Sequence, residues 1–112
     1  MMNNKYFLSV LMSVYNSEIT IEKSIKSIIN QSYKNFEFLI MDDFSNDNTF
    51  SICKTFANNY ENIKIYRNEE NLGLTISLNK LIRLSSGQFI ARQDGDDVSH
   101  KQRFEKQINF IE

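Results

Sequence analysis

Residues 92–99 read RQDGDDVS, with three carboxylates inside four positions. Asp94, Asp96 and Asp97 surround Gly95, and Arg92 stands just ahead of them. Carboxylates held this close repel one another and raise one another's pKa. A divalent cation would make the grouping favourable, since hard cations prefer carboxylate oxygens and a nucleotide phosphate can take the far side. The plainer reading is an acidic loop that opens a helix, where negative charge meets the positive end of the helix dipole. Arg92 fits both, as an ion-pair partner that neutralises the acids or as part of a binding site.

Other polar residues with chemical potential also follow apolar runs. FEFLIM, residues 36–41, leads into Asp42 and Asp43, then Ser45, Asn46 and Asp47. Asp47 taken alone fits a helix start, whereas Asp42 and Asp43 abut the apolar run itself. Ser13, Tyr15 and Asn16 close the first apolar run, and Tyr15 is either a core residue or a surface on which a base stacks. His100, the lone histidine, falls in the first turn of a predicted helix and reads as a solvated side chain. Cys53, the lone cysteine, reads as a small core residue. It can form no disulfide within the chain, which fits a reducing compartment.

The elements that must position these residues alternate along the chain. YFLSVLMSV is rich in strand formers. Its apolar stretch, Phe7 to Val14, is short and lacks a small-residue cleavage pattern, so it reads as a strand and not a signal peptide. Glu18 to Gln31 is helical in pattern, with Ile21, Ile25 and Ile28 on one face. FEFLIM is the second strand. A second helix is predicted over about 47–59, with Phe50, Cys53, Ala57 and Tyr60 inward. IKIYR, 63–67, is a third strand. TISLNKLIRLSS, 75–86, gives a third helix with Leu78, Leu81 and Ile82 inward and Gly87 as its C-terminal cap. QFIARQ, 88–93, is the fourth strand. Ser99 and Gln102 form a capping box that opens a last helix carrying Phe104, Ile108 and Ile111.

This β-α-β-α-β-α-β-α order predicts an α/β fold, a mostly parallel sheet in Rossmann-like βαβ order with right-handed crossovers. In such sheets ligands bind beyond the carboxyl ends of the strands, near the point where strand order reverses. Strand order 3-2-1-4 would bring the ends of strands one, two and four to one rim, where the separated acids converge. Strand three ends in RNEENLG, with Asn71 and Gly73 ahead of the third helix.

Composition narrows the function classes. The chain has 112 residues, 41% of them hydrophobic, and a net charge of −1. That length suits one domain or part of one. The balanced charge argues against a nucleic-acid partner, which usually meets a basic excess. No apolar run is long enough to span a membrane.

At this level of detail the sequence resembles the N-terminal half of a family 2 glycosyltransferase with the GT-A fold. LSVLMSVYN resembles the first strand of that family, and SIKSIINQSYKNFEFLIMDDFSNDNT its long central signature. NLGLTISLNKLI resembles the third-helix motif, and GQFIARQDGDD the strand that carries the DXD motif. These pieces occur in family order and cover nearly the whole chain.

The resemblance implies transfer of a sugar from a nucleotide donor, commonly a UDP-sugar, to the hydroxyl of a glycan or lipid-linked acceptor. It implies inversion at the anomeric centre, Mn²⁺ or Mg²⁺, and a place in cell-surface polysaccharide synthesis such as capsule or lipopolysaccharide. Carried over by position, Ser13, Tyr15 and Asn16 border the nucleotide, and Asp43 meets the base with Asp42 beside it. Asp94 meets the ribose or the metal shell. Asp96 is the main metal ligand, with Asp97 adjacent. Arg92 matches a residue often found ahead of the DXD motif in such capsule and lipopolysaccharide enzymes.

Two positions depart from the family pattern: Ser13 where proline is common, and Phe44 where glycine is common. Phe44 needs a backbone without positive φ, or it is strained.

The chain ends inside an amphipathic helix, so residues 1–112 are expected to be the donor-binding part of something longer. The acceptor-binding part and the general base would lie beyond residue 112. The chain alone is expected to be inactive and to self-associate through exposed edges and apolar surface. A cytoplasmic protein, peripheral at the inner face of the membrane, fits this reading.

The competing readings are weaker. A haloacid-dehalogenase-type phosphatase needs further residues downstream, and only 15 follow Asp97. A receiver module places its acids after other strands. A dinucleotide-binding domain would show G-x-G-x-x-G after strand one. The live alternative is a nucleotide-binding module that never catalyses.

Overall fold

The computed structural model describes residues 5–111. Four strands form one parallel sheet in the order β3-β2-β1-β4, the predicted 3-2-1-4. They are β1 (Leu8–Val14), β2 (Phe36–Asp42), β3 (Ile63–Arg67) and β4 (Phe89–Arg92). The helices between and after them are α1 (Ile21–Ile29), α2 (Thr49–Asn59), α3 (Leu74–Leu84) and α4 (Arg103–Ile111).

Side chains alternate across a strand, so each strand serves two cores. On one face Leu8, Val10, Met12 and Val14 of β1 join Phe36, Phe38 and Ile40 of β2. Ile21, Ile25 and Ile28 of α1, Cys53 of α2, and Phe104 and Ile108 of α4 cover this face. On the other face Leu11, Leu39 and Met41 pack against Leu81 of α3. Every residue of β2 is buried, as expected for a central parallel strand covered on both sides.

Three expectations are corrected in detail. The predicted inward residues Tyr60, Ile82 and Ile111 are exposed at 41%, 46% and 45%. Ile82 and Ile111 belong to helices that pack on one side only, so the apolar stripe is wider than the contact it makes, and Tyr60 lies just past the end of α2 in extended backbone. Next, α4 starts at Arg103, and Ser99 does not cap it. The Phe104 amide instead donates to Oε1 of buried Gln31 at 3.1 Å, while Ser99 Oγ donates to Gln93 Oε1 and accepts from the Arg103 side chain. Last, Gly87 does not cap α3, which ends in extended backbone at Ser85.

The need for glycine at position 87 comes from close approach. A Cβ there would lie 2.5 Å from both the Ser9 nitrogen and the Ser9 Oγ. Ser9 Oγ accepts from the Gly87 amide at 2.8 Å and donates to Glu37 at 2.6 Å, so it cannot move away freely. Gly87→Ala should therefore cost about 1–3 kcal/mol, the usual range for overpacking. A urea midpoint unchanged by this substitution would show that the β1–β4 junction yields more easily than its close contacts imply.

Candidate functional site

The strand order places the ends of β2, β1 and β4 side by side. The Val14 carbonyl accepts from the Asp43 amide at 2.8 Å, which continues the β1–β2 ladder past the last strand residue. The loops beyond are laced together. The Asn16 amide donates to Ser45 Oγ at 2.8 Å, and Asn16 Oδ1 accepts from the Asn46 amide at 3.0 Å. Asn16 sits at φ +48°, which its short polar side chain tolerates.

Phe44 sits at φ +67°, the strained alternative posed by its sequence. A bulky residue there costs on the order of 1–3 kcal/mol. The conformation lets the Ser45 amide turn back to Asp42 Oδ2 at 3.0 Å. The half-exposed ring packs against the Arg67 guanidinium, 5.6 Å from ring centroid to Cζ.

Asp42 and Asp43 are adjacent but face opposite sides of the sheet. Asp42 is fully buried beneath Arg67, whose Nε lies 3.4 Å from Oδ2. Its Oδ1 has no hydrogen-bond partner among the described residues. Asp42 also faces α2. Burial, helped by the Asp42 charge, pushes the Cys53 thiol up to about 12, so that cysteine is an inert core group.

Asp43 turns toward α3. Its Oδ1 accepts from Asn68 Nδ2 at 2.9 Å and from the Leu72 amide at 2.8 Å. Its Oδ2 accepts from the Gly73 amide at 2.9 Å. Burial alone would push this carboxyl up, but the Leu72, Asn68 and Gly73 donors, with Lys80 nearby, outweigh it and hold the group below its ordinary value. Gly73 adopts φ +91°, which lets successive amides converge on one carboxylate.

The acidic loop after β4 packs against the end of β1. A Cβ on Gly95 would lie 3.0 Å from Val14 Cγ1 and 3.3 Å from Ser17 Oγ. Helix α1 and the residue before it hold the loop by its carbonyls. Ser24 Oγ donates to the Asp94 carbonyl at 2.9 Å, and Thr20 Oγ1 to the Gly95 carbonyl at 3.0 Å. Arg92 pairs with Asp94 Oδ1 at 3.1 Å, which fits its reading as an ion-pair partner. Asp96 and Asp97 are exposed. Among the described residues no hydrogen bond or ion pair engages the Asp96 carboxylate.

A cleft of about 580 Å³ opens at this corner, lined by Asn16, Ser17, Glu18, Ile19, Thr20, Asp47, Gly95 and Asp96. Of the residues singled out from sequence as binding candidates, Asn16 and Asp96 line it. Tyr15, 49% exposed, stands in the adjoining turn and is not a core residue. Ser13 is half-buried on β1, while Asp42 and Asp43 lie beneath the surface. Asp47 acts locally, with its Oδ1 accepting from the Thr49 amide at 2.9 Å at the start of α2. Burial pushes its carboxyl up, but hydrogen bonds from Thr49 and from the Glu18 amide prevail and hold it below its ordinary value. His100 is exposed, as its sequence position suggests, and its Nδ1 accepts from the Gln102 amide.

Ser24, Gln93, Asn68 and Arg103 are functional-site neighbours that the sequence alone does not single out. Ser24 carries a usable signal, because it lies three residues after Ile21 on the stripe that α1 buries. A polar residue on such a stripe has to find a polar partner inside. The others give no such sign, because their partners are fixed by how the loops fold back and not by a periodic pattern.

Among the described residues no three His, Cys, Asp or Glu side chains stand together to hold a metal ion. The donors do suit a hard cation that draws only one or two carboxylates from protein and the rest from water and phosphate, as Mg²⁺ commonly does. Mn²⁺ favours the same oxygen ligands. The open Asp96 carboxylate, with exposed Asp97 next in sequence, meets that description.

The parallel 3-2-1-4 sheet with its flanking helices is the architecture of a GT-A fold. S. aureus TarS, residues 1–349 in complex with UDP-GlcNAc, superposes with a TM-score of 0.87 at 30% identity, over 94% of this chain and 31% of TarS. The family model described as glycosyl transferase family 2 matches residues 9–112. The chain belongs to that family.

EpsE of Bacillus subtilis (strain 168) is 46% identical over 112 residues, 99% of this chain and 40% of EpsE. The Escherichia coli enzyme WfgD, a UDP-Glc:alpha-D-GlcNAc-diphosphoundecaprenol beta-1,3-glucosyltransferase, is 38% identical over 106 residues, 95% of this chain and 41% of WfgD. The chain thus spans about two fifths of the length of these two relatives.

Proposed function

We propose that this chain is the donor-binding part of a glycosyltransferase that takes a sugar from a nucleotide-sugar, a UDP-sugar by preference, and passes it to an acceptor hydroxyl with inversion. The observation that carries this reading is the Gly95 turn. It is seated on Val14 and Ser17 and leaves the Asp96 carboxylate open on the same cleft as Asn16. WfgD, named for a UDP-Glc donor and a lipid-diphosphate-linked acceptor, supports a role in surface polysaccharide synthesis.

In this reading Tyr15 and Asn16 border the nucleotide, with Ser13 behind them. A carboxylate offers about four acceptor positions, and three donors already occupy Asp43, so one on Oδ2 remains for a base N–H. Asp42, ion-paired with Arg67, holds the Ser45 amide beside the nucleotide site. Asp96 holds the divalent cation, Mn²⁺ or Mg²⁺, with Asp94 and Asp97 in its shell. Bound there, that cation would offset the charge that develops on the leaving diphosphate. The general base and acceptor site belong to a part of the enzyme outside residues 1–112. The described helices include none long and apolar enough to cross a membrane, and we place the protein at the cytoplasmic face of the membrane as a peripheral component.

Titration calorimetry with UDP, GDP and CDP, each with Mn²⁺ and with chelator, tests this reading. UDP should bind in metal and weaken about tenfold or more in chelator, the equivalent of one charge-assisted contact. Equal binding of UDP in chelator would reduce the acidic loop to a charged surface turn.

The surface of the chain carries a further expectation. A cleft of about 600 Å³ runs along β4 and α4, lined by Leu8, Phe89, Phe104, Ile108 and others, with Phe110 92% exposed. Strand β4 is an edge strand and Ile90 is half-exposed. Open edges and apolar patches promote association. Light scattering of the isolated chain should show a mass that rises with concentration. A steady monomer would refute self-association through this side.

A further inference from the structure

The geometry points to Gln93 as the positioning residue of the acidic loop: a buried amide that ties both sides of the 94–97 turn to α1 and α4 and so presents Asp96 and Asp97 to a metal-bound diphosphate. The ligand half of this inference rests on the function proposed above. The loop half does not.

Gln93 is 2% exposed, and its amide head uses its full capacity. Nε2 donates to Ser24 Oγ at 3.1 Å and to the Asp97 carbonyl at 2.8 Å. Oε1 accepts from Ser99 Oγ at 2.6 Å and from Arg103 Nη1 at 2.9 Å. An amide alone among uncharged side chains offers two donors and two acceptor sites on one planar head. Arg103 extends the network, since its Nη2 donates to the Arg92 carbonyl at 2.8 Å. The carbonyls of residues 92, 94, 95 and 97 are thereby all held by side chains, from Arg103, Ser24, Thr20 and Gln93 respectively.

This arrangement answers the repulsion among the acids. Asp94, Asp96 and Asp97 would relax apart if the loop were free. A turn fixed through its carbonyls cannot open to separate them, and its carboxylates stay outward. A binding surface held in place beforehand avoids an ordering cost when ligand arrives. A fully satisfied buried network also rigidifies what it holds.

Two substitutions separate the halves of the amide. Gln93→Met keeps length and volume and removes all four bonds. Gln93→Glu keeps the acceptor side toward Ser99 and Arg103 and removes the donors to Ser24 and Asp97. The first readout uses the ligand-free chain, by amide hydrogen exchange and backbone NMR order at residues 95–97. Both variants should lose protection and order there, with α4 unchanged in the Glu variant.

The second readout compares UDP with Mn²⁺ against uridine alone. Gln93→Met should weaken UDP about tenfold and leave uridine within about twofold. A role confined to general stability would lower both together. If Gln93→Met does not fold, Gln93→Glu carries both readouts. Unchanged loop order in a folded variant overturns the inference, as does a loosened loop that keeps full UDP affinity. A wild-type chain that binds no diphosphate would sink the functional reading and the ligand half with it, while the exchange data decide the loop half independently.

Discussion

Asp43→Ala should destabilise the chain by about 3 kcal/mol or more, the largest stability effect expected of any rim substitution. The change leaves the Leu72 and Gly73 amides and Asn68 Nδ2 without their acceptor in a site that is 4% exposed. The Asn68 donor is buried and the two amides are half-buried, and each stranded donor costs on the order of 1 kcal/mol. Asp43→Asn keeps one carbonyl oxygen and turns an NH₂ toward an amide donor, so it should fall between the alanine variant and the wild type.

The pH dependence follows from the sign of the shift. Asp43 is held below its ordinary value of 3.8, so its charged form is favoured by folding. Its contribution is fully present above that value and is lost as pH falls through the lower, folded-state value. The gap between wild type and Asp43→Asn in urea midpoints should therefore be widest near neutrality and shrink below about pH 3.8. An alanine variant as stable as the wild type at pH 7 would mean that the 68–73 loop does not depend on this carboxylate.

Asp96→Ala should do the reverse, leaving stability within about 0.5 kcal/mol, as for most surface positions. Its carboxylate is exposed, and no hydrogen bond or ion pair among the described residues engages it. On the function proposed above, the substitution should nonetheless remove most of the metal-dependent part of UDP binding, about tenfold or more in affinity. The measurement is the calorimetric difference between Mn²⁺ and chelator, taken for wild type and variant under the same conditions. An Asp96→Ala chain that keeps the full metal response would place the cation elsewhere on the rim and leave Asp96 a surface carboxylate. The ends of β2 and β4, on either side of β1, thus carry acids of two kinds: Asp43 is buried and held by three donors, and Asp96 is open to a ligand.

Much of this architecture was legible in the residues. The switch from period two to period 3.6 located eight elements in order. Right-handed crossovers and the placement of polar residues and acids after strands one, two and four indicated the sheet order and the shared rim. Where expectation and structure part, the reason is contact with distant residues. Ser99 and Gln102 have the spacing of a capping box, yet Gln93 takes the Ser99 hydroxyl and Gln31 caps Phe104. Gly87 stands just past a helix, yet the approach of Ser9 explains it.

The sequence by itself determined that the chain is a parallel α/β domain with acids at the ends of nearby strands, because side-chain periodicity and turn chemistry are local properties. Only the tertiary structure decided which acids are available. Alternation at the end of β2 sends Asp42 under Arg67 and Asp43 toward α3, where the Asp43 oxygens meet donors 25 to 30 residues away in sequence. Asp96 meets none, since Thr20, Ser24 and Gln93 hold its loop by the backbone and leave the side chain in water.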